Sequence, residues 1–345
     1  MRISSLSYFT ASLSGMQGNQ SQIARLSEQI SSGQRMLAAK DDPLAAEKAL
    51  QLSSRIAVRE QYLANQQKAT LTLDYETVVV KEMDKSLSDV RALLMQSSGS
   101  DMQSLRNQHA EILKNMYVHI KDLVNSYDSE GHFIFAGFDT SLDSTTPPFQ
   151  HTQVYPTIAA PGSQPTTYIG TPDGATLSSA GVRSIIVDEG RSVQVTDNLE
   201  NVIKFPAPVN VPFFDTAALP APGSVTNVAT TDVFQALDQI AIALRDTNLT
   251  TYQVSTAVNN VVNALTTTLG RLGGIAQRVA ATTLELNDIR KSTEKLQLIE
   301  QNAFSDLTQV DKASAIVELQ MRQTSLEAAQ RAYAQTSNLS LFSYL

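Results

Sequence analysis

The four histidines are the first candidates for metal binding or acid–base catalysis. His109 and His119 are ten residues apart in a segment with helical spacing, so we expect their side chains on different faces of one helix. His132 and His151 lie in segments with strand or loop character, and no pair has the H-x-x-x-H spacing of a metal site. The chain has no cysteine to complete such a site. We therefore predict no metal site and no cofactor.

Other patterns that could carry out chemistry have simpler structural explanations. Asp41 and Asp42 precede Pro43, which is typical of a helix start and not of a catalytic carboxylate pair. The sequence lacks the G-x-S-x-G pattern of serine hydrolases, and the glycine-rich segment 270–274 has neither the lysine nor the preceding strand of a phosphate-binding loop. We predict that the chain is not an enzyme. A ligand-binding or enzymatic module within residues 138–230 stays open as the less favoured alternative.

Composition limits the classes of partner. The chain has 345 residues, a length typical of two or three domains, and 42% of them are apolar, which is enough for real cores. Its net charge of -8 and the lack of a lysine and arginine cluster argue against nucleic acid. No segment approaches the roughly 18 apolar residues of a membrane span, and the N-terminus lacks the apolar core of a secretory signal peptide. Protein is the expected partner.

Both ends of the chain carry helical stripes that are only half apolar. Apolar residues recur in steps of three and four, and Gln20, Ser27, Gln323 and Gln330 occupy alternate positions. The predicted interface residues are Leu6, Phe9, Leu13, Met16, Ile23, Ile30, Ile316, Leu319, Leu326 and Tyr333. At about 25 cal/mol per Å² of buried apolar area, two such helices hold together weakly. We expect the two ends to pair and to be stabilised by further copies, or by a relative, in an assembly.

Long helices are predicted on both sides of a β-rich middle. Helix one spans about 6–31 and ends at Ser32-Gly33, and a second helix of about 44–96 starts at Pro43. Its stripe is Ala49, Leu52, Ile56, Arg59, Leu63, Gln66, Thr70, Leu73, Val80, Leu87 and Leu94. A third helix is expected over about 101–127. A short helix is predicted from Asp232, and a last helix from about Tyr252 is expected to continue into the C-terminal stretch.

The middle of the chain contains eleven of the twelve prolines, which makes long helices improbable there. Residues 132–138 alternate like a strand, and residues 182–187 and 191–196 predict a hairpin. Residues 202–205 predict one more strand, and 206–230 an extended segment. The predicted fold is mainly α with a β-rich insertion: an elongated helical bundle or coiled coil formed by both chain ends, plus a small β domain in the middle. The predicted domains are a terminal coiled coil (1–38 and 307–345), a helical rod (39–138 and 232–306) and the insertion (139–231).

Several of these segments together resemble a known family. Residues 29–35, QISSGQR, and 39–46, AKDDPLAA, are similar to the N-terminal signature of flagellins and hook-associated proteins of the bacterial flagellum. Residues 131–137, GHFIFAG, resemble the exit from the family's helical domain, and 306–333 with the final LFSYL (341–345) resemble its C-terminus. The matching motif residues are Ser32, Gly33, Arg35, Asp41, Asp42 and Pro43. Flagellins tend to have alanine where Pro43 stands, so the sequence is closer to the hook-associated members.

The resemblance implies a structural role in the flagellum. It implies a junction between the hook, through hook-associated protein 1, and the flagellin filament, with about eleven copies in a ring joined by terminal coiled coils. It also implies a dedicated export chaperone, export without a cleaved signal peptide and an extracellular location on the flagellum. The alternative within the same class is a flagellin, the filament subunit.

Overall fold

The computed structural model describes residues 2–98, 102–137, 142, 146–150, 167–168, 181–215 and 224–342. It describes no side chains for residues 2–6, 8, 168, 213–215, 224–228 and 337–342. The chain divides into two compact units. Unit 1 contains Met1–Gln61 and Thr293–Leu345, and unit 2 contains Tyr62–Ser292. The predicted division into three domains stays a prediction.

Long helices dominate the described part of the chain. The helices are α1 (Arg2–Ser32), α2 (Pro43–Ser98), α3 (Gln103–Val124), α4 (Glu200–Ile203), α5 (Val233–Arg245), α6 (Thr251–Thr308) and α7 (Lys312–Phe342). The strands are β1 (Phe149–Gln150), β2 (Thr167–Tyr168), β3 (Ser184–Asp188), β4 (Arg191–Gln194), β5 (Lys204–Asp215) and β6 (Ser224–Asp232). They form three antiparallel pairs, β1 with β2, β3 with β4 and β5 with β6. The predicted class, mainly α with β structure in the middle, is confirmed.

Local chemistry explains where several helices begin. The Asp42 carboxylate accepts a hydrogen bond from the Ala45 amide at 3.0 Å, and Pro43 is the first residue of α2, as predicted. Asp232 caps α5 in the same way, since its carboxylate accepts from the Gln235 amide at 2.9 Å. The predicted stripe of α2 is also the buried one, because Leu73, Leu87 and every other stripe residue is buried or half-buried. Both the extent of α2 and its buried face therefore agree with the prediction.

The core of unit 2 lies among α2, α3, α5 and α6. Helix α5 is buried along almost its whole length, and it packs on α3 and on the hairpin of β5 and β6. The rings of Tyr117 on α3 and Phe234 on α5 meet edge to face, with centroids 5.7 Å apart. A helix covered on all sides is anchored more firmly than one with a single apolar stripe. Unit 2 is thus held by a conventional hydrophobic core.

The β predictions are confirmed in part. Hairpin β3–β4 forms where residues 182–196 predicted it, with Gly190 at φ 69° in the turn. Residues 132–138 were predicted as a strand, which is wrong for the described residues up to Gly137. Only an isolated bridge between Tyr127 and Phe133 forms there, and the Phe133–Gly137 run is buried in turns. The strand predicted at 202–205 begins only at Lys204, because Glu200–Ile203 is helical.

The proline-rich segment is extended, as predicted, and it is also paired. Strand β5 runs antiparallel to β6, with register from Val209 opposite Thr230 to Asp215 opposite Ser224. Prolines are compatible with a two-stranded sheet because each strand has one edge that needs no amide donors. Val211 places this hairpin in the unit 2 core. Residues 216–223 lie outside the described residues.

The prediction of one unbroken helix from Tyr252 into the C-terminal stretch is wrong. Helix α6 ends at Thr308 and α7 begins at Lys312. The Asp311 carboxylate accepts hydrogen bonds from the Ala313 amide at 3.0 Å and from the Ser314 hydroxyl at 2.6 Å. These bonds, from Ser314 first, lower the pKa of Asp311. A capping aspartate therefore starts a new helix after a three-residue interruption.

Candidate assembly site: the paired terminal helices and their junction

Helices α1 and α7 pack side by side in unit 1, so the two ends of the chain pair as expected. The pair is antiparallel, because residues early in α1 contact residues late in α7. The rings of Phe9 and Tyr333 meet edge to face with centroids 5.5 Å apart. Further along, an Arg322 Nη1 donates to the Asn19 Oδ1 at 3.5 Å. The contact thus extends along both helices.

The buried face of this pair differs by one lane from the predicted stripe. The buried or half-buried positions of this face are Phe9, Ser12, Met16, Asn19, Ile23, Leu26 and Ile30 on α1, and Ala315, Leu319, Arg322, Leu326, Ala329, Tyr333 and Thr336 on α7. Gln29 of α1 is also half-buried, and its side chain donates to the Arg35 carbonyl. The lanes containing Met16 and Leu326 were predicted. Leu13 and Ile316 were placed in the second lanes, but they are 48% and 43% exposed. The side chain of Leu6 lies outside the described residues.

The seam between α1 and α7 buries little apolar surface. Among its described residues only Leu26 and Ala315 are buried, and the others are half-buried. A fully buried leucine stabilises by about 1.5–3 kcal/mol, and a half-exposed one contributes less. Polar Ser12, Asn19 and Arg322 occupy positions where a stable helix pair would carry leucine. The seam is weak in comparison with the core of unit 2.

A small backbone junction ties the end of α1 to the break between α6 and α7. Gly33 terminates α1 with φ 73°, a left-handed conformation that suits glycine. Its carbonyl accepts a hydrogen bond from the Val310 amide at 3.0 Å, and the Arg35 amide donates to the Thr308 carbonyl at 2.8 Å. Gln34 and Gln309 form the antiparallel bridge between these bonds. We call this set of residues, 33–35 and 308–310, the junction.

The remaining motif residues hold the turn between α1 and α2. The Asp41 Oδ2 accepts from the amides of Leu37 and Ala38 at 3.2 and 3.1 Å, and its Oδ1 is 3.3 Å from an Arg25 nitrogen on α1. Asp42 caps α2 and lies 3.7 Å from an Arg35 nitrogen.

Ser32 completes the turn, since its hydroxyl accepts from the Gln34 amide at 3.2 Å. The motif Ser32, Gly33, Arg35, Asp41, Asp42 and Pro43 thus has a structural reason: it shapes the α1–α2 turn and holds the junction.

Glu300 joins α6 to α2 within unit 1. Its side chain is 7% exposed, and it accepts from the Arg59 Nε at 2.7 Å and from an Arg55 nitrogen at 2.7 Å. The hydrogen bond from Arg59 is the main reason that the pKa of Glu300 is lowered. This explains why Arg59 stands in an otherwise largely apolar stripe. The ion pair is buried, so it holds the two helices in one register.

The described histidines do not gather into a chemical site. His109 is buried in unit 2 and shares a hydrogen bond of 2.6 Å with the Ser97 hydroxyl. His132 lies near Asp128 in a turn, and His151 lies outside the described residues. In the part of the chain that the structure describes, no group of three or more histidines and carboxylates could hold a metal ion. No described helix is both long and apolar enough to span a bilayer.

Asp311 and the junction residues Gln34 and Gln309 were missed by the sequence analysis. The pattern Asp311-x-x-Ser314 is a helix-start signal that could have revealed the break after α6. The bridge itself carries no local signal, because its two residues are glutamines far apart in the chain.

One family model matches the N-terminal part of the chain. Residues 3–140 match the family model described as the bacterial flagellin N-terminal helical region. This match covers α1, α2, α3 and the motif.

Similarity to named proteins then extends over the whole chain. The chain is 26% identical to flagellar hook-associated protein 3 of Salmonella typhimurium over 352 residues, and the alignment covers 99% of both proteins. It is 22% identical to flagellar hook-associated protein 3 of Escherichia coli over 347 residues, again with 99% of both covered. The resemblance indicated by the two termini is confirmed, since both of these relatives are named hook-associated protein 3. These relatives are named as flagellar proteins and not as enzymes, in agreement with the prediction of no enzymatic activity.

A solved structure agrees at the level of the fold. The crystal structure of flagellar hook-associated protein 3 from Legionella pneumophila superposes with a TM-score of 0.57 at 14% identity, covering 74% of this chain and 98% of the other. At this identity the superposition shows the fold alone.

Replacing Gly33 by alanine tests the junction. The Cβ would meet no atom within 4 Å, so the cost comes from the left-handed backbone alone, about 1–2 kcal/mol. We expect hydrogen-exchange protection of the Arg35 and Val310 amides to fall by roughly five- to thirtyfold. The matched control is Gly18→Ala, also in open space but within α1, which should stabilise the helix by up to about 1 kcal/mol. Equal effects of the two substitutions would contradict a special role for Gly33.

The lowered pKa of Glu300 predicts acid sensitivity of the α2–α6 contact in unit 1. Below its ordinary value of 4.5, the unfolded chain binds a proton that the folded chain does not, so stability is lost as the pH falls through the lowered pKa. We expect protection of residues 52–61 and 296–304 to decrease between pH 5 and pH 3.

Glu300→Gln should lower the free energy of local opening of these residues already at pH 7, by about 1–3 kcal/mol. Its further loss of protection between pH 5 and pH 3 should be smaller than that of the wild type. The control is Glu28→Gln, a change of the same kind at an exposed position of unit 1. A wild-type profile that is flat from pH 5 to pH 3 would contradict the assignment.

Proposed function

We propose that this chain is a structural junction protein of the bacterial flagellum that assembles with copies of itself through α1 and α7. The observation that carries the proposal is the α1–α7 pair, in which the two chain ends meet in a seam poor in buried apolar surface. Similarity to hook-associated protein 3 over 99% of the chain supports the flagellar setting.

The distribution of apolar side chains supports self-association. In unit 1 the buried apolar residues among those described are only Leu26, Ala45, Ala49 and Ala315. Large apolar side chains that remain exposed in the same unit are Leu13, Leu44, Leu50, Val58, Leu296, Leu298, Ile299, Ile316, Val317 and Met321. Exposed apolar surface on this scale is typical of a protein interface. Neighbouring copies would cover it and supply the burial that the seam lacks.

The predicted interface can be divided into two roles. Phe9, Met16, Ile23, Ile30, Leu319, Leu326 and Tyr333 lie in the seam within one chain. Leu13 and Ile316 flank the seam and point away from it, so we propose that they contact a neighbouring copy. The junction would then fix the positions of α1 and α7 where they connect to α2 and α6. A ring requires these fixed positions, because each copy must present the same surfaces to the next.

The finer partners proposed here are those that the resemblance to hook-associated proteins implies. We propose that the chain links hook-associated protein 1 at the hook to flagellin in the filament, as a ring of about eleven copies. It would be exported without a cleaved signal peptide, with a dedicated chaperone in the cell, and it would act outside the cell on the flagellum. The exposed apolar residues of unit 1 are the surface that such a chaperone would cover before assembly.

A flagellin is the second candidate, favoured by the match of residues 3–140 to the flagellin N-terminal region. The two functions differ in location and copy number. Immunogold labelling of isolated flagella should place a junction protein only at the boundary of hook and filament, in a few copies. Labelling along the whole filament, or dominance of this chain in sheared filaments, would support the flagellin function and contradict the junction.

The assembly role of Leu13 and Ile316 is tested by Leu13→Ser and Ile316→Ser. Both side chains are exposed in the single chain, so the free energy of unfolding should change by no more than about 0.5 kcal/mol. Assembly should nevertheless be impaired. We expect fewer labelled hook–filament boundaries, and lower motility, in cells that make only the variant chain.

The matched control is Gln22→Ser, an exposed position on the other flank of α1. It should assemble like the wild type. Normal assembly of both test variants would contradict the interface, and so would a large loss of stability in the isolated variants, since that would place the two residues inside the fold.

A further inference from the structure

Three charged residues from distant parts of the sequence meet inside unit 2. Glu76 lies on α2, Arg278 on α6, and Asp197 in the segment between β4 and α4. The Glu76 Oε1 accepts from the Asp197 amide at 2.8 Å, and its Oε2 is 3.3 Å from the Arg278 Nη2. The Arg278 Nε donates to the Asp197 Oδ2 at 2.9 Å, and Nη2 bonds the same oxygen. The cluster fastens one loop segment to two helices.

The charges in this cluster are not balanced. Two carboxylates share one guanidinium, and Arg278 makes its closer bonds to Asp197. The Gln194 side-chain amide donates to the other Asp197 oxygen at 2.8 Å, so both carboxylate oxygens of Asp197 accept hydrogen bonds. Glu76 has a fully buried side chain, with one backbone donor and one long contact to Arg278. An ionised Glu76 would therefore be a poorly compensated buried charge.

Burial is the main reason that the pKa of Glu76 is raised. The Asp197 carboxylate raises it further, and Arg278, together with the hydrogen bonds to Glu76, opposes the change. Asp197 and Arg278 are the charged groups that act on Glu76 from the elements packed against it. The raised pKa of Glu76 agrees with the geometry, since the Arg278 guanidinium makes its shorter hydrogen bonds to Asp197 and not to Glu76.

We propose that Glu76, Asp197 and Arg278 form a pH-sensitive latch that fastens the segment after hairpin β3–β4 to α2 and α6. The latch is tight while Glu76 carries its proton and weakens when Glu76 ionises. No relative's name and no part of the proposed assembly function implies this device, and it stands or falls separately from them.

The sign of the pH effect follows from linkage. When the segment is open, Glu76 is solvated and loses its proton near its ordinary pKa of 4.5. In the closed state the pKa of Glu76 is raised to about 8. The equilibrium constant for opening therefore rises with pH between 4.5 and about 8, by up to about tenfold per pH unit.

The opening should be local. Strand β3 is also held to α2 by uncharged groups, since Asn65 donates to the Ile186 carbonyl and Gln66 to the Val187 carbonyl, each at 2.8 Å. These bonds do not titrate. Residues 196–199 should therefore loosen at alkaline pH while β3 stays attached to α2.

The test is a titration of the full-length chain. The Glu76 carboxyl carbon is followed by NMR from pH 4 to pH 9, assigned by its loss in Glu76→Gln, and the protection factor of the Asp197 amide is measured at pH 6, 7 and 8. We expect the carboxyl to titrate well above 4.5 and the protection factor to fall by up to about tenfold per pH unit. Protection of the amides within the β3–β4 hairpin should change little.

The variants separate the latch from general effects of pH. In Glu76→Gln the protection factor of Asp197 should no longer depend on pH. Asp74→Asn, a matched change at an exposed position two residues earlier on α2, should keep the wild-type dependence. A Glu76 carboxyl that titrates at or below 4.5 would overturn the proposal, as would constant Asp197 protection from pH 6 to pH 8. Since both are measured on the wild-type chain, the test holds even where Glu76→Gln folds poorly.

Discussion

The shortage of buried apolar surface along the α1–α7 seam is the constraint on which the rest of the molecule depends. Half-exposed side chains and polar Asn19 and Arg322 give a helix pair that is specific in register but weak in energy. Unit 2 shows the opposite balance, because α5 is buried almost throughout. One chain thus combines a unit with a conventional hydrophobic core and a unit with a weak seam, which is the division that the proposed assembly would require.

Polar interactions supply the specificity that this weak seam cannot. The junction fixes the backbone of Gly33 and Val310, and the Glu300 pair with Arg59 sets the register of α2 against α6. Such interactions add little net stability, since desolvation cancels much of the gain. Their value lies in defining one arrangement of the helices. This explains why a motif without catalytic chemistry, from Ser32 to Pro43, is so distinctive in sequence.

The sequence predicted features that depend on local chemistry. Helix ends marked by Gly33, Asp42 and Pro43, the stripe of α2 and the hairpin around Gly190 could all be read from neighbouring residues. Predictions failed where tertiary contacts decide. The sequence predicted Leu13 in the seam because it is apolar, but in the structure Ser12 lies in the seam and Leu13 is exposed. Contacts such as Arg59 with Glu300, 241 residues apart, leave no periodic signal.

The junction between Gly33 and Val310 has a consequence for the order of events during synthesis. Unit 2 is one uninterrupted stretch, Tyr62–Ser292, and all of its residues have left the ribosome before the last part of the chain is made. Unit 1 contains residues 1–61 and 293–345, so α1 cannot pair with α7 until α7 has been made. Contacts between residues so far apart in the chain form slowly, because the entropy of the long intervening segment must first be lost. During that interval the N-terminal helix is available to any partner that recognises it.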